Sequence, residues 1–275
     1  MRIKLTSFLA IFAAFAMSAQ SAADSAAITS MRWVTDTVAP GVVLKIGHFE
    51  DLYGEPQNVV CFEINRNERK LAIGVNAPVE KTNLSGKDFK ALAAVNGSFF
   101  DMRRGNSVCY LRQNGRILDT TTSGSDNFNG ALVIDDGALS LMRWNKDVEN
   151  NFEHTSPSSD ALVSGPMLVE SGEYSEIPNV DKSFSTTHHP RTGVGVRADG
   201  TVLLVTADGR QPDFAGGMSL PCFAHLLKSL GAVDAMNLDG GGSTTAWASH
   251  LPYGGVVNRP SGKLLRRVAN IVYAY

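Results

Sequence analysis

One stretch of the sequence combines an acid, three glycines and three hydroxyl side chains. Residues 235–246 read Ala-Met-Asn-Leu-Asp-Gly-Gly-Gly-Ser-Thr-Thr-Ala. Asn237 and Asp239 alternate with apolar residues, which predicts a strand whose polar side chains emerge on one face where the strand ends. Because each glycine weakens a regular element by roughly 0.5–1 kcal/mol, we expect the glycines to serve positive φ angles or close backbone approach. The stretch therefore predicts a carboxylate beside a ring of backbone N–H groups.

Three other segments place polar side chains beside the ends of predicted strands. Residues 96–101 read Asn-Gly-Ser-Phe-Phe-Asp, and residues 208–210 read Asp-Gly-Arg. His188, His189 and Arg191 precede a third strand, and a guanidinium binds phosphate through a bidentate fork. Because adjacent residues of a strand point to opposite faces, we do not expect the two histidines to chelate one metal. An Asn-Gly pair also marks tight turns and an arginine also forms structural salt bridges, so both interpretations stay open.

The amino-terminal residues have the composition of a secretory signal peptide. Arg2 and Lys4 precede an apolar stretch at 5–17, and the small residues at 18–23 offer cleavage sites. A membrane anchor is the weaker interpretation, because this stretch is shorter than about 18–20 residues and no other stretch reaches that length. We therefore expect residues 1–23 to be removed and the mature protein to be secreted or periplasmic, without an integral membrane span.

Composition places the rest of the chain among globular proteins. Removing 23 of 275 residues leaves 252, which suits one large domain, and 43% hydrophobic residues can form a sizeable core. The formal net charge of −2 gives no reason to expect nucleic acid or an anionic membrane as partner. Cys61, Cys109 and Cys222 allow at most one disulfide, and none has the spacing of a zinc site. We expect structural cysteines in a single domain at 24–275, with its motifs concentrated at 80–275.

Periodicity predicts an α+β fold with a large mixed, mainly antiparallel β-sheet core and two principal helices. The first helix is expected at 85–93, where Ser85 and Asp88 resemble a capping box. The second is expected at 220–230, with Ser219 as its N-cap. The alternative is an all-β sandwich on which these helices are decorations.

The remaining elements are predicted to be strands and loops. Alternating apolar residues indicate two or three strands at 31–73 and a β-meander at 108–142. A strand at 161–170 is interrupted at Gly165-Pro166, because proline cannot donate a hydrogen bond to a ladder, so the backbone is expected to leave the sheet there. Two polar stretches are expected to be loops: 143–160 and 173–187.

Five motifs, in this order, resemble those of the phosphodiester glycosidase domain family. They are Asn96-Gly-Ser-Phe-Phe-Asp101, Ser164-Gly-Pro-Met-Leu-Val, His189-Pro-Arg-Thr-Gly-Val-Gly, Asp208-Gly-Arg and Asn237-Leu-Asp-Gly-Gly-Gly-Ser-Thr-Thr245. The last motif is the most specific. The family includes the mannose 6-phosphate uncovering enzyme and bacterial proteins linked to exopolysaccharide. The resemblance implies a hydrolase of carbohydrate metabolism, a glycosidase that releases the sugar from a sugar 1-phosphodiester and leaves a phosphomonoester, and the predicted signal peptide implies that it is exported.

The resemblance also assigns expected roles within such a site. The candidate catalytic carboxylates are Asp239, which we place first, then Asp208 and Asp101. The candidate phosphate- and sugar-binding side chains are Arg191, His189, Asn96 and Asn237, where the two asparagines either orient sugar hydroxyls or fix the loops. An anion-binding nest is expected from the backbone N–H groups and hydroxyls of Gly240, Gly241, Gly242, Ser243 and Thr244. The distance between two carboxylates would decide between a nucleophile and a general base.

Two alternatives from other functional classes remain. In the first, Asp101, Asp208 and Asp239 are oxygen ligands for Ca²⁺ or Mg²⁺ in a metal-dependent phosphodiesterase. In the second, the chain binds an envelope glycan without catalysis. We expect no cofactor, a divalent cation being required only by the first alternative. The expected partners are a sugar phosphodiester and an envelope or extracellular glycan.

Overall fold

The computed structural model describes residues 22–121, 126–178, 182–252 and 254–275, and almost all of the predicted signal peptide lies outside them. The strands, numbered along the chain, form three sheets. The largest has eight strands, in the spatial order β1 (Val34–Ala39), β2 (Val42–Leu52), β3 (Glu55–Ile64), β14 (Val202–Ala207), β13 (Arg191–Arg197), β15 (Ala232–Asn237), β11 (Met167–Glu170) and β12 (Glu173–Tyr174).

Two smaller sheets complete the strand structure. The five-stranded sheet has the order β7 (Arg116–Asp119), β6 (Leu111–Gln113), β10 (Asp160–Ser164), β8 (Gly130–Asp135) and β9 (Ala138–Arg143). The four-stranded sheet has the order β16 (Ala246–Ala248), β5 (Ala93–Asn96), β17 (Arg267–Ala274) and β4 (Leu71–Lys81). Every ladder between these named strands is antiparallel.

The helices are short and lie outside the sheets. They are α1 (residues 22–30), α2 (Thr82–Asp88), α3 (Lys146–Thr155), α4 (Lys182–Thr186) and α5 (Leu220–Ser229), and a single 3₁₀ turn covers Gly241–Ser243. The α+β class with a sheet-dominated core is thus confirmed. α5 lies where the second helix was predicted, whereas α2 lies at Thr82–Asp88 and overlaps only the first part of the helix predicted at 85–93. No helix in the described part of the chain has both the length and the apolar character needed to cross a bilayer.

The central strand β14 has core on both of its faces. Val202 and Leu204 belong to one buried apolar cluster, and the alternate residues Leu203 and Val205 belong to another. A strand buried on both faces is a continuous apolar run, as the sequence of β14 is. The packing fixes the ends of β13, β14 and β15, which pair directly through Arg191↔Ala207 and Gly193↔Asn237. Those ends carry the polar residues of the site.

The predicted interruption at Gly165-Pro166 separates two sheets. β10 before it belongs to the five-stranded sheet, whereas β11 after it belongs to the eight-stranded sheet. The meander expected at 108–142 is wrong in one respect, because β10 enters between its two hairpins. The hairpins themselves form, with Asn114 and Asp136 at positive φ in their turns.

Several local predictions need correction. Residues 31–73 contain three complete strands and the start of a fourth, β4. The stretch 143–160 contains α3, whose N-cap Asn145 accepts a hydrogen bond from the Val148 N–H. The stretch 173–187 contains β12 and α4. Ser85 is not a cap, because it lies inside α2 and its hydroxyl donates to Asn76 Oδ1 at 2.9 Å.

The three cysteines are free thiols. Cys61 and Cys109 are buried, and Cys222 is half-buried. Burial raises the pKa of Cys61 to about 12 and raises the pKa of Cys222 as well. The thiols therefore stay protonated at neutral pH and pack as small apolar side chains, as structural cysteines do.

Candidate active site

A pocket of about 330 Å³ opens where the strand ends of two sheets meet. Its walls come from segments that are far apart in the chain: the loop after β5, α4, the loop before β13, the turn after β14, the loop after β15 and the residue before β17. The lining residues are Phe99, Ser183, Phe184, His189, Arg191, Arg210, Asp239, Gly240, Gly241, Gly242 and Arg266. The pocket is thus lined by Asp239, by the two predicted phosphate ligands Arg191 and His189, and by the glycines at 240–242.

Asp239 is fixed in place through its own backbone. Its N–H donates to the Gly97 carbonyl at 3.0 Å, and its carbonyl accepts from the Asn96 amide at 2.6 Å. Asn96 is fully buried, and its Oδ1 accepts from the Thr192 hydroxyl at 2.8 Å and the Thr245 N–H at 3.1 Å. Asn96 therefore connects the segments that contain Asp239, Thr192 and Thr245, and it is not among the residues that line the pocket. These contacts support loop fixation over sugar binding.

The carboxyl group of Asp239 is half-buried at the wall of the pocket. Solvent reaches it from the pocket, while protein atoms surround it on the other sides. Burial raises the pKa of Asp239 to about 6, against the opposing effects of the Ser243 hydroxyl, the Arg266 charge and the Gly240 N–H. A carboxyl with this pKa is mostly ionised at neutral pH and exchanges its proton readily near that pH. Within the described chain, no other carboxylate lines the pocket.

The glycines let guanidinium groups approach the loop that carries Asp239. Gly241 has a φ of +60°, and a methyl group on it would lie 3.2 Å from Arg210 Nη2. A methyl group on Gly242 would lie only 2.6 Å from Arg266 Nη2. A side chain at 241 would be strained by the positive φ, and one at 242 would require the Arg266 guanidinium to shift, so glycine suits both positions.

Four backbone N–H groups of the predicted nest are engaged within the protein. The Gly240 N–H interacts with the Asp239 carboxylate, and the Gly241 N–H donates to the Pro190 carbonyl at 2.8 Å. The N–H groups of Ser243 and Thr244 donate within the loop, at 3.2 and 3.3 Å. These four donors are already used, so the positive charge facing a ligand comes from arginine side chains.

Three arginines line the pocket. Arg191 is 2% exposed, and its Nε and Nη2 donate to the carbonyls of Met218, Phe184 and Thr187 at 2.8, 2.8 and 3.1 Å. Burial lowers the pKa of Arg191 to about 10, so it keeps its charge at neutral pH. Sequence reasoning did not assign Arg210 or Arg266 to the site. Two sequence features could have identified them: Arg210 directly follows Asp208-Gly, and Arg266 directly precedes the last strand, β17.

The two neighbouring histidines point to different partners. His189 Nδ1 lies 3.3 Å from Arg210 Nη2, and His188 Nδ1 lies 3.4 Å from Glu55 Oε2. Burial and the positive charges of Arg191 and Arg210 lower the pKa of His189. His189 is therefore neutral at neutral pH, and its Nδ1 accepts from Arg210 and orients that guanidinium.

The other predicted binding residues support the site from behind. Asn237 is buried, and its amide donates to the carbonyls of Gly165 and Leu238 at 2.9 and 2.7 Å. Thr244 is buried, with its hydroxyl 3.3 Å from the Thr192 hydroxyl. Ser243 is also buried, and its hydroxyl interacts directly with the Asp239 carboxylate. Ser243 orients the acid, whereas Asn237 and Thr244 hold loops.

Asp208 lies outside the pocket in a cage of amides. It is 2% exposed, and its Oδ2 accepts from the Asn58 amide and the Arg259 N–H, both at 2.8 Å. Its Oδ1 accepts from the Asn258 amide at 2.7 Å. Burial raises the pKa of Asp208, although the Arg259, Asn258 and Asn58 hydrogen bonds oppose this. Both oxygens are engaged, so the geometry gives Asp208 a structural role in place of the predicted catalytic one.

Asp101 also lies outside the pocket, in its own turn. Its Oδ1 accepts from the backbone N–H groups of Arg103 and Arg104 at 2.7 and 3.1 Å. These hydrogen bonds lower the pKa of Asp101. Its contacts are those of a turn-capping residue, which differs from the predicted catalytic role.

The ligand set of the metal-dependent alternative is not brought together. Asp239 faces the pocket, Asp208 faces buried amides and Asp101 caps a surface turn. Among the residues that the structure describes, no three or more His, Cys, Asp or Glu side chains are grouped as metal ligands would be.

Comparisons with known proteins place this geometry in context. The chain is 28% identical over 164 residues to the Mus musculus N-acetylglucosamine-1-phosphodiester alpha-N-acetylglucosaminidase, covering 55% of the chain and 31% of that protein. It is 26% identical over 157 residues to the SPbeta prophage-derived uncharacterized protein YomE of Bacillus subtilis, covering 56% of the chain and 24% of that protein. The match thus spans less than a third of the length of either relative.

Solved structures share the fold. The catalytic domain of the zebrafish N-acetylglucosamine-1-phosphodiester alpha-N-acetylglucosaminidase, auto-inhibited by its pro-peptide, superposes with a TM-score of 0.69 at 23% identity, covering 86% of this chain and 84% of that one. A putative exported protein from Burkholderia pseudomallei superposes with a TM-score of 0.57 at 15% identity, covering 81% of this chain and 75% of that one.

The phosphodiester glycosidase model matches residues 89–275, which include every residue that lines the pocket. This match covers more than half of the chain, and the chain belongs to the phosphodiester glycosidase family, a family of hydrolases.

Proposed function

We propose that the protein is an exported hydrolase that cleaves the glycosidic C–O bond of a sugar 1-phosphodiester. The observation that carries the proposal is the pocket that joins three arginines to one acid, Asp239, with a pKa of about 6. Guanidinium groups match phosphate in charge and geometry. The mouse relative is named for an N-acetylglucosamine-1-phosphodiester, which supports the same substrate class here.

The proposed reaction breaks the bond between the anomeric carbon and the phosphate oxygen. The bonding electrons leave with the phosphate, whose charge changes from that of a diester to that of a monoester. Arg191, Arg210 and Arg266 stabilise this added charge, so the leaving group needs little help from a general acid. This is compatible with a pocket in which Asp239 is the single carboxylate among the described lining residues.

Asp239 acts on the face of the anomeric carbon opposite the leaving phosphate. Its ionised form either attacks that carbon or takes a proton from the water that does so. Retention of anomeric configuration would assign Asp239 as nucleophile, and inversion would assign it as general base. NMR of the first sugar product, recorded before mutarotation, distinguishes the two outcomes.

We also propose that the protein acts outside the cytoplasm. The charged start, apolar stretch and small residues at 1–23 support export. The structural relative from Burkholderia pseudomallei is described as a putative exported protein. Detection of a mature chain that begins near Asp24 in the periplasm or medium would test this part of the proposal.

The decisive experiment for the reaction follows both products in ¹⁸O-labelled water. A panel of sugar 1-phosphodiesters is incubated with the protein, and the phosphomonoester is analysed by mass spectrometry. We expect unlabelled phosphomonoester and free sugar, because water attacks carbon. Label in the phosphate, or sugar 1-phosphate as the product, would show P–O cleavage and contradict the proposal.

The pH profile tests the assignment of the acid. Because the ionised form of Asp239 is needed and its pKa is about 6, kcat/KM is expected to rise about tenfold per pH unit below that value and to level off above it. The profile is measured at constant ionic strength. A flat profile through this range would exclude Asp239 as the group whose ionisation limits the rate.

The two unassigned arginines provide a test of phosphate stabilisation. Arg210→Gln and Arg266→Gln are each expected to lower kcat/KM by about 10²-fold, because each removes a charge from the pocket. Arg259→Gln is the matched control, since that exposed guanidinium stacks 4.8 Å from the Phe214 ring and does not line the pocket. Equal losses in all three variants would point to general electrostatics and not to a phosphate site.

A further inference from the structure

The two most exposed large apolar side chains of the described residues lie on two loops that also contribute residues to the pocket wall. Leu264 is 81% exposed and Met102 is 71% exposed. Leu264 lies two residues before Arg266, and Met102 lies three residues after Phe99, and both of these partners line the pocket. Because a chain spans at most about 3.6 Å per residue, Leu264 lies within about 7 Å and Met102 within about 11 Å of these partners along the backbone.

The two loops that carry these side chains are neighbours in the fold. A methyl group on Gly105 would lie 3.1 Å from Val79 Cγ1, which places the Met102 loop against β4. β4 pairs with β17 through Glu80↔Val268, directly after the Leu264 loop. The two apolar side chains therefore project from adjacent loops at one end of the four-stranded sheet.

The surface formed by residues 102–104 and 263–267, here called the rim, is basic although the whole chain is slightly acidic. Residues 259–267 contain four basic residues and no acid, within a chain of net charge −2. On the neighbouring loop, Asp101 makes only a long ion pair with Arg104, at 3.9 Å. The exposed basic residues beside the two apolar side chains are Arg103, Arg104, Lys263 and Arg267. The net charge of the whole chain gave no reason to expect an anionic partner, because it averages over this local cluster of basic residues.

The pocket is small in comparison with many ligand sites. Its volume of about 330 Å³ is at the lower end of the range of ligand pockets, about 300–1,000 Å³. If the arginines hold the phosphate and Asp239 faces the anomeric carbon, a large group beyond the phosphate extends out of the pocket, and we place it against these two loops because they help to form the pocket wall. The rim therefore indicates the chemistry of that group.

We propose that this rim, residues 102–104 and 263–267, docks on an anionic lipid bilayer and that the group beyond the phosphate is a lipid. Exposed Met102 and Leu264 would enter the boundary between headgroups and acyl chains, and the flanking Arg and Lys side chains would bind headgroup phosphates. The lipid character of the substrate rests on the function proposed above, whereas the docking surface does not.

Vesicle binding tests the docking surface without any substrate. The full chain is sedimented with vesicles of phosphatidylcholine alone and of phosphatidylcholine mixed with phosphatidylglycerol. We expect binding to the mixed vesicles only, weakened by salt because headgroup attraction is screened. The double variant Met102→Ser with Leu264→Ser is expected to bind at least about tenfold more weakly.

Matched variants separate the rim from general surface effects. Val34→Ser removes an apolar side chain that is 69% exposed on β1, and it should bind vesicles like the wild type. Arg103→Ser with Lys263→Ser should weaken binding, whereas Lys87→Ser with Arg116→Ser, which removes two exposed basic residues elsewhere, should not. Equal binding by the rim variants and the wild type would overturn the proposal.

Two further outcomes are decisive. If the wild type ignores anionic vesicles but binds a soluble anionic polysaccharide through the same basic residues, the rim recognises glycan and the lipid proposal is wrong. Turnover of a short soluble sugar 1-phosphodiester should be unchanged in the Met102→Ser, Leu264→Ser variant, because neither residue lines the pocket. Vesicle binding without turnover of any diester would keep the docking surface and reject the function on which the lipid substrate rests.

Discussion

Replacing Asp239 with Asn is expected to lower kcat/KM by at least about 10³-fold, which corresponds to about 4 kcal/mol of transition-state stabilisation. The amide can still accept a hydrogen bond from the Ser243 hydroxyl, but it can neither attack carbon nor remove a proton. Steady-state kinetics on a sugar 1-phosphodiester measures the effect. Asp101→Asn is the matched control and should retain most activity, because Asp101 is engaged by its own turn.

The same substitution is expected to stabilise the fold at neutral pH. The folded-state pKa of Asp239, about 6, lies above the ordinary value of 3.8, so its stability contribution is full below about pH 4 and is lost as the pH rises through 6. Asp239→Asn should therefore be more stable by about 1–2 kcal/mol at about pH 7.5, after allowance for solvent in the pocket, and no more stable at about pH 4. Denaturant unfolding at both pH values measures the difference.

Four outcomes would contradict this account of Asp239. Unchanged turnover by Asp239→Asn would show that Asp239 is not the catalytic group, whereas turnover of no sugar phosphodiester by the wild type would indicate a binding protein. Comparable losses in Asp101→Asn, together with inhibition by a chelator, would favour the metal-dependent alternative. Lower stability of Asp239→Asn at neutral pH would show that the carboxylate is held by stronger partners than Ser243 and Arg266.

Replacing Asp208 with Ala is expected to lower the free energy of unfolding by about 3 kcal/mol, because three donors around this buried carboxylate lose their acceptor. Asp208→Asn should be nearly as harmful. The Asn58 amide and the Arg259 N–H donate to one oxygen of Asp208, and the Asn258 amide donates to the other. The side-chain NH₂ group of an asparagine at 208 would replace one of these oxygens and would face a donor in place of an acceptor. Denaturant unfolding gives the size of the loss.

Activity provides the second measurement for Asp208. Below the melting range, kcat/KM of the folded variant should fall by less than about tenfold, since Asp208 touches neither the pocket nor a ligand in it. The wild type and Asp101→Asn serve as references. A loss of turnover as large as that of Asp239→Asn, with normal stability, would restore the catalytic role that the sequence predicted.

The sequence predicted those elements whose signals are local. Helix α5 has its N-cap Ser219 and Gly231 at a φ of +93°, and the hairpin turns have Asx-Gly pairs at positive φ. Helix α3 was missed because it is polar along most of its length, with buried Phe152 and Glu149 facing the protein. Glu149 is held by Thr121, Trp144 and Lys146, contacts that no local pattern indicates.

The site was predictable in its segments but not in all of its side chains. Asp239 and Asp208 both follow a strand, and the sequence does not reveal that one faces a pocket and the other a cage of amides. Arg210 and Arg266 reach the site only because they pack over glycines of another loop. Assigning their roles requires the tertiary arrangement, whereas the order of the motifs was enough for the family.

The attachment of Asp239 to Asn96 also constrains when the protein can begin to work. The Asn96 amide binds the Asp239 carbonyl across 143 residues, and the Gly97 carbonyl accepts the Asp239 N–H across nearly the same interval. Such long-range contacts form late, because closing a long loop precedes the gain from its contacts. A chain in which β5 has been made and β15 has not would therefore lack the site entirely. Activity should appear only after the last strands have been added and paired, so that turnover marks the completion of folding.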